Sequence, residues 1–362
     1  MNRIPTLDGL RGLAILLVLA GHTVTNSSAA LADARRWWEC LANPGMGVRL
    51  FFALSGYLIT TLLLREQETR GSVELGGFYR RRARRILPAF YVFLFLLAIW
   101  IHLDAEATRL PLSAWFSTAA FAWNYSFLWT DHGVAGLWNL AHTWSLALEV
   151  QFYLLWPLVL IRLGPRRALH VCLALLGLAP LIRLGIYFFL PQQRGLLGMM
   201  LHTSYDGVIA GSAAALLVRW PSVTAHLRRY ASPGACLALG WIFLLGPLAN
   251  FGIRGFSILV GFSLDALAAA WLVSSLHLHP PAWANRLLGE GVMPALGLIS
   301  YSLYLWQQPF LSRDRWLGDG WVFLPLVAAI AMATVSYFFV ERPFLSHRRP
   351  GPPRLPSAAP QT

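Results

Sequence analysis

Apolar residues run through this chain in long blocks that are separated by short polar stretches. Eleven blocks are found, at roughly residues 8–26, 46–64, 87–103, 112–129, 143–161, 168–190, 203–219, 234–250, 255–276, 292–311 and 320–340. A helix needs about 20 apolar residues to cross the hydrocarbon layer of a membrane. Because blocks of this length recur along the whole chain, the pattern predicts an all-α protein that is surrounded by lipid.

The same pattern predicts a single domain followed by a short tail. No stretch between the blocks is long enough to fold as a separate soluble domain. Residues 1–346 therefore form the predicted transmembrane domain. Residues 347–362 are rich in proline, and we expect a disordered cytoplasmic tail there.

The block at residues 112–129 decides the predicted topology. It contains Trp115, Trp123, Tyr125 and Trp129, and aromatic residues are typical of the membrane interface. If the block lies in the interface, ten spans remain, both termini are cytoplasmic, and the arginines divide into 20 inside and 8 outside. If it crosses, the division becomes 13 and 15. Only the ten-span topology follows the positive-inside rule, so we predict a multi-pass protein of the inner cell membrane.

Composition agrees with a membrane protein and excludes other classes. The chain is 57% hydrophobic and 12% charged, with a mean hydropathy of +0.55, whereas soluble domains are about 25% charged. The net charge of +13 comes from arginines between apolar blocks, which favours positive-inside topology over nucleic-acid binding. Cys40, Cys172 and Cys236 match no disulfide or metal spacing, and no metal site is predicted.

Three polar residues share one side of the first predicted helix. At 100° per residue, Asp8, Arg11 and His22 fall within a sector of about 60°. Inserting an ionisable side chain at bilayer depth costs about 2.5–3.5 kcal/mol of free energy, so we expect each such residue to have a structural or functional role. His22 lies about 16 Å further along the axis than Arg11, in the outer half, and histidine is well suited to accept a proton from a hydroxyl. The alternative is that Asp8 and Arg11 pair at the interface while His22 bonds a neighbouring helix.

A cluster of arginines precedes the third span. Five arginines occupy six positions in residues 80–85, and Arg82 and Arg85 share a helix face, with Arg81 beside them. Guanidinium groups suit polyphosphates, and coenzyme A carries a pyrophosphate and a 3′-phosphate. The cluster therefore predicts an acyl-CoA site, although an anionic membrane lipid would also fit.

A further polar group begins the span at 143–161. His142, Ser145 and Glu149 are spaced i, i+3 and i+7 and share one helix face. A serine nucleophile with a histidine base is conceivable, but spacing fixes no third partner. We predict instead that Glu149 accepts a proton or orients the substrate, and that Ser145 contacts the substrate.

Other polar residues occur within later spans. Arg183 lies in the middle of its span and must face the interior, with Asp206 or Asp265 as a possible partner. Tyr301 and Tyr304 line one face near the outer end of their span. We predict that Arg183 and the two tyrosines bind substrate, although placement in an aromatic belt would explain the tyrosines equally well.

Taken together, six segments in order resemble the acyltransferase-3 family of integral membrane O-acyltransferases. The matching segments are residues 7–14 with His22, 47–59, 82–88, 143–149 with Phe152-Tyr153, 299–306 and 341–344. The resemblance implies a ten-span domain that uses cytoplasmic acyl-CoA to O-acylate carbohydrates or other acceptors.

The resemblance also implies roles for individual residues. His22 matches the family's proposed catalytic histidine, Arg11 an arginine of the same helix, and Glu149 its outer acidic motif. Arg82 and Arg85 match its basic motif on the CoA side. Two departures are Val150, where relatives often have a second acid, and Gln307, where they often have a histidine.

The predicted function is therefore the transfer of an acyl group, by default acetyl, from acyl-CoA to a carbohydrate hydroxyl. His22 is the predicted general base, and no tightly bound cofactor is expected. Three alternatives stay open: an acyltransferase acting on a secondary metabolite such as a macrolide, a non-catalytic transporter, and a structural protein whose arginines bind anionic lipid.

Overall fold

The computed structural model describes residues 4–25, 42–104, 109–130, 137–253, 255–311 and 323–346, and within these ranges all regular secondary structure is helical. This confirms the predicted all-α fold. Cys40 and the predicted tail at 347–362 lie outside the described residues.

The α-helices are α1 (Pro5–Thr25), α2 (Pro44–Arg70), α3 (Leu75–Leu103), α4 (Leu112–Ala119), α5 (Trp138–Ala141), α6 (Thr143–Phe189), α7 (Leu201–Ser204), α8 (Asp206–Leu217), α9 (Pro221–Gly240), α10 (Gly246–Gly252), α11 (Phe262–Leu278), α12 (Ala282–Leu288), α13 (Val292–Phe310), α14 (Phe323–Ser336) and α15 (Arg342–Ser346).

Six helical stretches of the described ranges are long and apolar enough to cross a membrane by length and composition. They are Pro44–Arg70, Leu75–Leu103, Trp138–Phe189, Pro221–Asn250, Ser257–Leu278 and Leu324–Leu345. Membrane character is thereby supported. The count of ten spans and the orientation of the termini stay predictions.

The segment at residues 112–129 does not form one long helix. It divides into α4 and a 3-10 helix at Trp123–Leu128, with Phe121 between them in the left-handed region at φ 53°. The Phe121 ring stacks on Phe90 of α3 at a centroid distance of 4.5 Å. Neither piece is long enough to cross about 30 Å of hydrocarbon. This agrees with leaving the segment out of the predicted spans.

Helix α6 is two helices joined at Gly164. This residue has φ 71° and ψ 169°, a left-handed conformation that favours glycine. The halves at 143–163 and 165–189 are each long enough to cross the hydrocarbon layer at about 1.5 Å per residue. The two spans predicted at 143–161 and 168–190 correspond to these halves.

The two halves of α6 have different neighbours. In the first half, Trp156 donates to Thr60 of α2 at 2.8 Å, and Glu149, about two turns earlier in α6, accepts from Ser55 of α2. In the second half, Arg183 contacts Asp206 of α8. Helix α2 therefore lies against the first half, which carries the predicted site residues.

Glycines bring the helices around the predicted site into close contact. A Cβ on Gly12 of α1 would lie 2.3 Å from the carbonyl oxygen of Met293, and a Cβ on Gly297 would lie 1.8 Å from that of Asp8. On the other side of α1, a Cβ on Gly47 of α2 would lie 2.5 Å from the carbonyl oxygen of Ala14. Helix α1 is thus held between α2 and α13, as small residues allow in membrane proteins.

Replacing Gly56 by alanine should destabilise the bundle. Its Cβ would lie 1.9 Å from the carbonyl oxygen of Val208, so α2 and α8 must move apart. We expect a loss of about 1–3 kcal/mol, seen as a lower midpoint of thermal unfolding in detergent. Gly177→Ala is the control, because nothing lies within 4 Å of its Cβ. Equal midpoints for the two variants would contradict close packing at Gly56.

Candidate active site

A cavity of about 290 Å³ lies between helices α1, α2, α3, α6 and α13, and we call it the arginine cavity. Its polar lining consists of Asp8, Arg11, Ser55, Arg82, Arg85, Ser145, Glu149, Tyr153, Ser300, Tyr301 and Tyr304. Eight of the eleven residues predicted for catalysis and binding thus line one cavity. The three that do not are His22, Arg81 and Arg183.

Helical spacing explains why α1 and α3 contribute these side chains. Leu7, Asp8 and Arg11 lie within one turn of α1 and face the cavity together. Arg82 and Arg85, about one turn apart on α3, also both line the cavity, as their spacing predicted. The cavity therefore lies beside the first two turns of α1 and about the third turn of α3.

Arg81 points elsewhere. It is exposed, and its guanidinium donates to Glu66 of α2 at 2.9 Å. Of the three arginines predicted to bind coenzyme A, only Arg82 and Arg85 therefore line the cavity. Arg81 is placed to hold α3 against α2.

The cavity arginines form no close ion pairs within the described part of the chain, although the carboxylates of Asp8 and Glu149 line the same cavity. Within that part, none of Arg11, Arg82 and Arg85 forms an ion pair with a carboxylate. The buried Nε of Arg82 has no hydrogen-bond partner among the described residues, and its guanidinium lies 5.7 Å from the ring centre of Tyr153. Buried charges are costly unless they are paired, so this arrangement favours an anionic ligand.

Glu149 is held in a fixed position in the cavity wall. Its Oε1 accepts hydrogen bonds from the hydroxyls of Ser55 and Tyr153, and these hydroxyls lie 2.8 Å from each other. Ser55 and Tyr153 lie in the family-like segments at 47–59 and 152–153, but the sequence pattern indicates no role for either of them. The available signal for Ser55 was its place as a polar residue in the middle of a largely apolar span.

The tyrosines and Ser145 form another part of the wall. Tyr301 donates to the carbonyl oxygen of Ile86 at 2.8 Å. The hydroxyl of Tyr304 lies 2.6 Å from that of Ser145 and donates to the carbonyl oxygen of His142 at 2.9 Å. Both tyrosines therefore face the protein interior, which supports substrate contact over an aromatic belt.

The structure pairs Ser145 with no histidine side chain among the described residues. Its hydroxyl donates to the carbonyl oxygen of His142 at 3.2 Å. Neither ring nitrogen of His142 makes a hydrogen bond within the described ranges. A serine nucleophile with His142 as its base therefore has no support in the geometry.

His22 lies just beyond the arginine cavity. It is half-buried, and its Nδ1 lies 2.7 Å from Oε1 of Gln307. Gln307 follows the cavity residue Tyr304 by three residues, or about 4.5 Å along α13. An amide oxygen only accepts hydrogen bonds, so Nδ1 donates and Nε2 keeps the lone pair that a general base needs. The ring also packs edge-on against Trp138 at 5.4 Å.

Arg183 is fully buried at a different place, between α6, α8 and α11. Its guanidinium donates to Asp206 at 2.8 Å, to Ser263 at 2.7 Å and to the carbonyl oxygens of Thr203 and Ile258. The sequence offered Asp206 or Asp265 as a partner, and the structure selects Asp206. With these bonds, the arrangement favours a structural role for Arg183.

Within the described residues, no group of three or more histidine, cysteine, aspartate and glutamate side chains is arranged to hold a metal ion. The features present are a basic cavity, a fixed carboxylate and a nearby histidine. Together with the apolar helices, they define a helical membrane protein with a basic cavity between its helices.

Comparison with known proteins identifies the family. The family model Acyl_transf_3, described as an acyltransferase domain, matches residues 4–341. The chain therefore belongs to this family, and the resemblance found in its motifs is confirmed. No solved structure matches the chain.

Curated relatives include bacterial O-acetyltransferases. O-acetyltransferase OatA of Staphylococcus aureus strain NCTC 8325 is 28% identical over 365 residues, which cover 94% of this chain and 57% of that protein. A protein of Bacillus subtilis strain 168, provisionally named peptidoglycan O-acetyltransferase YrhL, is 28% identical over 94% of this chain and 54% of its own length. The chain spans little more than half the length of these relatives.

If Arg183 has a structural role, replacing it and its partner Asp206 should change the free energy of unfolding in a predictable way. Arg183→Met should leave Asp206 buried without its partner and cost about 3–5 kcal/mol in the free energy of unfolding. The double variant Arg183→Met/Asp206→Leu should recover most of that loss, because no buried charge remains. Thermal unfolding in detergent measures both. A double variant less stable than Arg183→Met would contradict the structural role.

Proposed function

We propose that the protein is an O-acyltransferase that moves an acyl group, acetyl in the simplest case, from acyl-CoA to a hydroxyl of a carbohydrate or glycan precursor. Family membership and the names of the relatives support the class of reaction. The observation that carries the proposal is the arginine cavity, in which three guanidinium groups lack carboxylate ion pairs within the described residues.

The donor site is proposed because three guanidinium groups line the cavity against two carboxylates, those of Asp8 and Glu149. Phosphate groups of coenzyme A would pair with Arg82 and Arg85 at the entrance, since guanidinium forks match phosphate oxygens. The pantetheine arm would then extend along the cavity past Arg11, between α1 and α6. This direction brings the thioester towards Ser145 and Tyr304, at the end of the cavity nearest to His22.

The chemical step proposed is a direct acyl transfer. The acceptor hydroxyl oxygen attacks the thioester carbonyl carbon, and His22 Nε2 takes the hydroxyl proton. The carbon–sulfur bond breaks as the ester forms, and the proton passes on to the departing thiolate, which leaves as the thiol of coenzyme A. Tyr304 and Ser145 line this end of the cavity, and their hydroxyls, which here donate to the carbonyl oxygen of His142, would turn to donate to the developing oxyanion.

Gln307 would hold His22 in the required tautomer. By accepting from Nδ1, it keeps the lone pair on Nε2, as carboxylates do for many catalytic histidines. A neutral amide makes His22 a weaker base than a carboxylate would. This assigns a use to the position where relatives often have a histidine.

We also propose that the protein lies in the inner cell membrane with ten spans and cytoplasmic termini. The arginine cavity would then open to the cytoplasm, where acyl-CoA is made. Support comes from the basic character of the end where α1 and α3 begin and from the arginine distribution.

Loss of the cavity arginines should weaken donor binding. Arg82→Gln or Arg85→Gln should raise the KM for acetyl-CoA about 10–100-fold, because a charge-assisted hydrogen bond contributes about 1.5–3 kcal/mol. Arg84→Gln is the matched control, since Arg84 is exposed on the same helix. Initial rates of radiolabelled acetyl transfer measure the effect. Unchanged KM in both cavity variants would favour the anionic-lipid alternative.

Removal of the proposed base should stop chemistry without affecting donor binding. His22→Ala should lower kcat about 10²–10⁴-fold, and Gln307→Ala should lower it less, because the imidazole remains. His202→Ala, at an exposed histidine, is the control.

The measurement is single-turnover acetyl transfer, with acetyl-CoA binding and protein abundance checked in parallel. Full activity in His22→Ala would exclude the base assignment. A wild-type protein that binds but never consumes acetyl-CoA would favour a transporter.

A further inference from the structure

A second cavity, of about 320 Å³, lies beside the first turns of α2, and we call it the Arg49 cavity. It is lined from α2 by Asn43, Gly45 and Arg49 and from α6 by Trp144. The arginine cavity is lined by later turns of α2, down to Leu62. The start of α2 therefore lines the Arg49 cavity, its middle turns line the arginine cavity, and the two linings overlap.

The charged groups of the Arg49 cavity are balanced. Arg49 Nη1 lies 3.5 Å from Asp265 Oδ2, and the other oxygen of Asp265 accepts from Trp241 at 2.9 Å. Asp206, the second carboxylate in the lining, is paired with Arg183 at 2.8 Å. Each of the two lining carboxylates is thus paired with one guanidinium group, and that of Arg183 lies just outside the lining. Unlike the arginine cavity, this one has no excess charge to attract a phosphate.

Hydrogen-bonding capacity remains in spite of these ion pairs. Arg49 carries five N–H donors, and within the described residues its only polar contact is the one with Asp265. Its guanidinium is fixed over the ring of Phe262 at 3.9 Å. Asp206 uses Oδ2 for both Arg183 and Ser263, so its Oδ1 accepts no hydrogen bond in the described ranges.

An aromatic side chain completes the lining. Trp144 is half-buried, and its ring packs edge-on against Phe52 at 6.0 Å. Glycines at 45, 195 and 198 leave room along the wall. Fixed donors, fixed acceptors and an aromatic surface together suit a neutral molecule with many hydroxyls, because each hydroxyl both donates and accepts and the carbon face of a sugar packs on aromatic rings.

The two cavities approach each other closely. Val48 and Phe52 line both of them, and Trp144 of the Arg49 cavity precedes Ser145 of the arginine cavity in sequence. His22 is near this boundary, because its neighbour Gly21 packs against Pro44, which lies between the lining residues 43 and 45.

We propose that the Arg49 cavity binds the acceptor and that the acceptor group bound there is an uncharged, polyhydroxylated one, such as a sugar residue. This assignment rests on the proposed function. The acceptor hydroxyl would reach the thioester at the wall formed by Val48 and Phe52. Donor and acceptor would thus bind in adjacent cavities on either side of these two residues.

Blocking the cavity with a thiol reagent tests the assignment. Gly198→Cys places a thiol in the lining, where its Cβ meets only the Phe262 ring at 3.7 Å. The background has Cys40 and Cys236 replaced by serine and retains the buried Cys172. A polyethylene-glycol maleimide is the probe. Gln192→Cys, an exposed position in the neighbouring 3-10 helix, is the matched control.

We expect labelled Gly198→Cys to lose at least about tenfold in acetyl transfer to the native acceptor in washed membranes. Its Kd for acetyl-CoA should change less than about twofold, which corresponds to about 0.4 kcal/mol of binding free energy. Labelled Gln192→Cys should keep both properties. Undiminished transfer after labelling, or loss of acetyl-CoA binding with it, would overturn the assignment.

Other outcomes separate this inference from the proposed function. If the unlabelled background protein neither binds nor consumes acetyl-CoA, the proposed function itself is wrong. If Gly198→Cys is inactive before labelling, Gly195→Cys replaces it, because nothing lies within 4 Å of its Cβ. The effect of labelling Gly195→Cys is then measured on acetyl transfer to the native acceptor and on the Kd for acetyl-CoA.

The chemical class of the acceptor is tested separately. Mass spectrometry of the product formed from isotopically labelled acetyl-CoA should find the acetyl ester on a sugar hydroxyl. The double variant Arg49→Gln/Asp265→Asn removes one positive and one negative charge, so the net charge of the cavity is unchanged. It should raise the KM for that isolated acceptor about 10–100-fold and leave the KM for acetyl-CoA unchanged. An esterified product without a polyhydroxylated group, or an unchanged acceptor KM, would overturn the inference.

Discussion

The cost of placing guanidinium groups in a lipid-embedded bundle governs how this protein is organised. Such a charge must find compensation within the protein or from a ligand, because the surrounding hydrocarbon offers none. Arg183 illustrates the first solution, with a carboxylate, a hydroxyl and two carbonyl oxygens around it. Arg11, Arg82 and Arg85 illustrate the second, since they gather in a cavity without carboxylate ion pairs in the described part of the chain. This contrast distinguishes a structural arginine from arginines available to a ligand.

Close helix packing gives the cavity its walls. Helix α1 is in near backbone contact with both α2 and α13 through Gly47, Gly12 and Gly297. As a result, Asp8 and Arg11 on α1, Glu149 on α6 and the tyrosines of α13 face one common space. The fixed carboxylate of Glu149, bonded to two hydroxyls, shows how rigid this space is.

Two cavities with different charge balance suggest a division of labour. One carries excess positive charge and suits a phosphate-bearing donor, whereas the other is balanced and suits a neutral polyol. They share only Val48 and Phe52 in their linings.

The sequence alone determined the helical, lipid-embedded architecture, because apolar block length responds directly to membrane thickness. It also determined that Arg82 and Arg85 share one helix face and that Asp8 and Arg11 share another, since both follow from the helical period. Tertiary structure decided what spacing within one helix cannot reach. It separated Arg183 from the cavity, turned Arg81 towards Glu66, set His22 against Gln307 from 285 residues away, and brought Ser55 to Glu149. These contacts depend on which helices become neighbours and how they are rotated, and no local pattern encodes that choice.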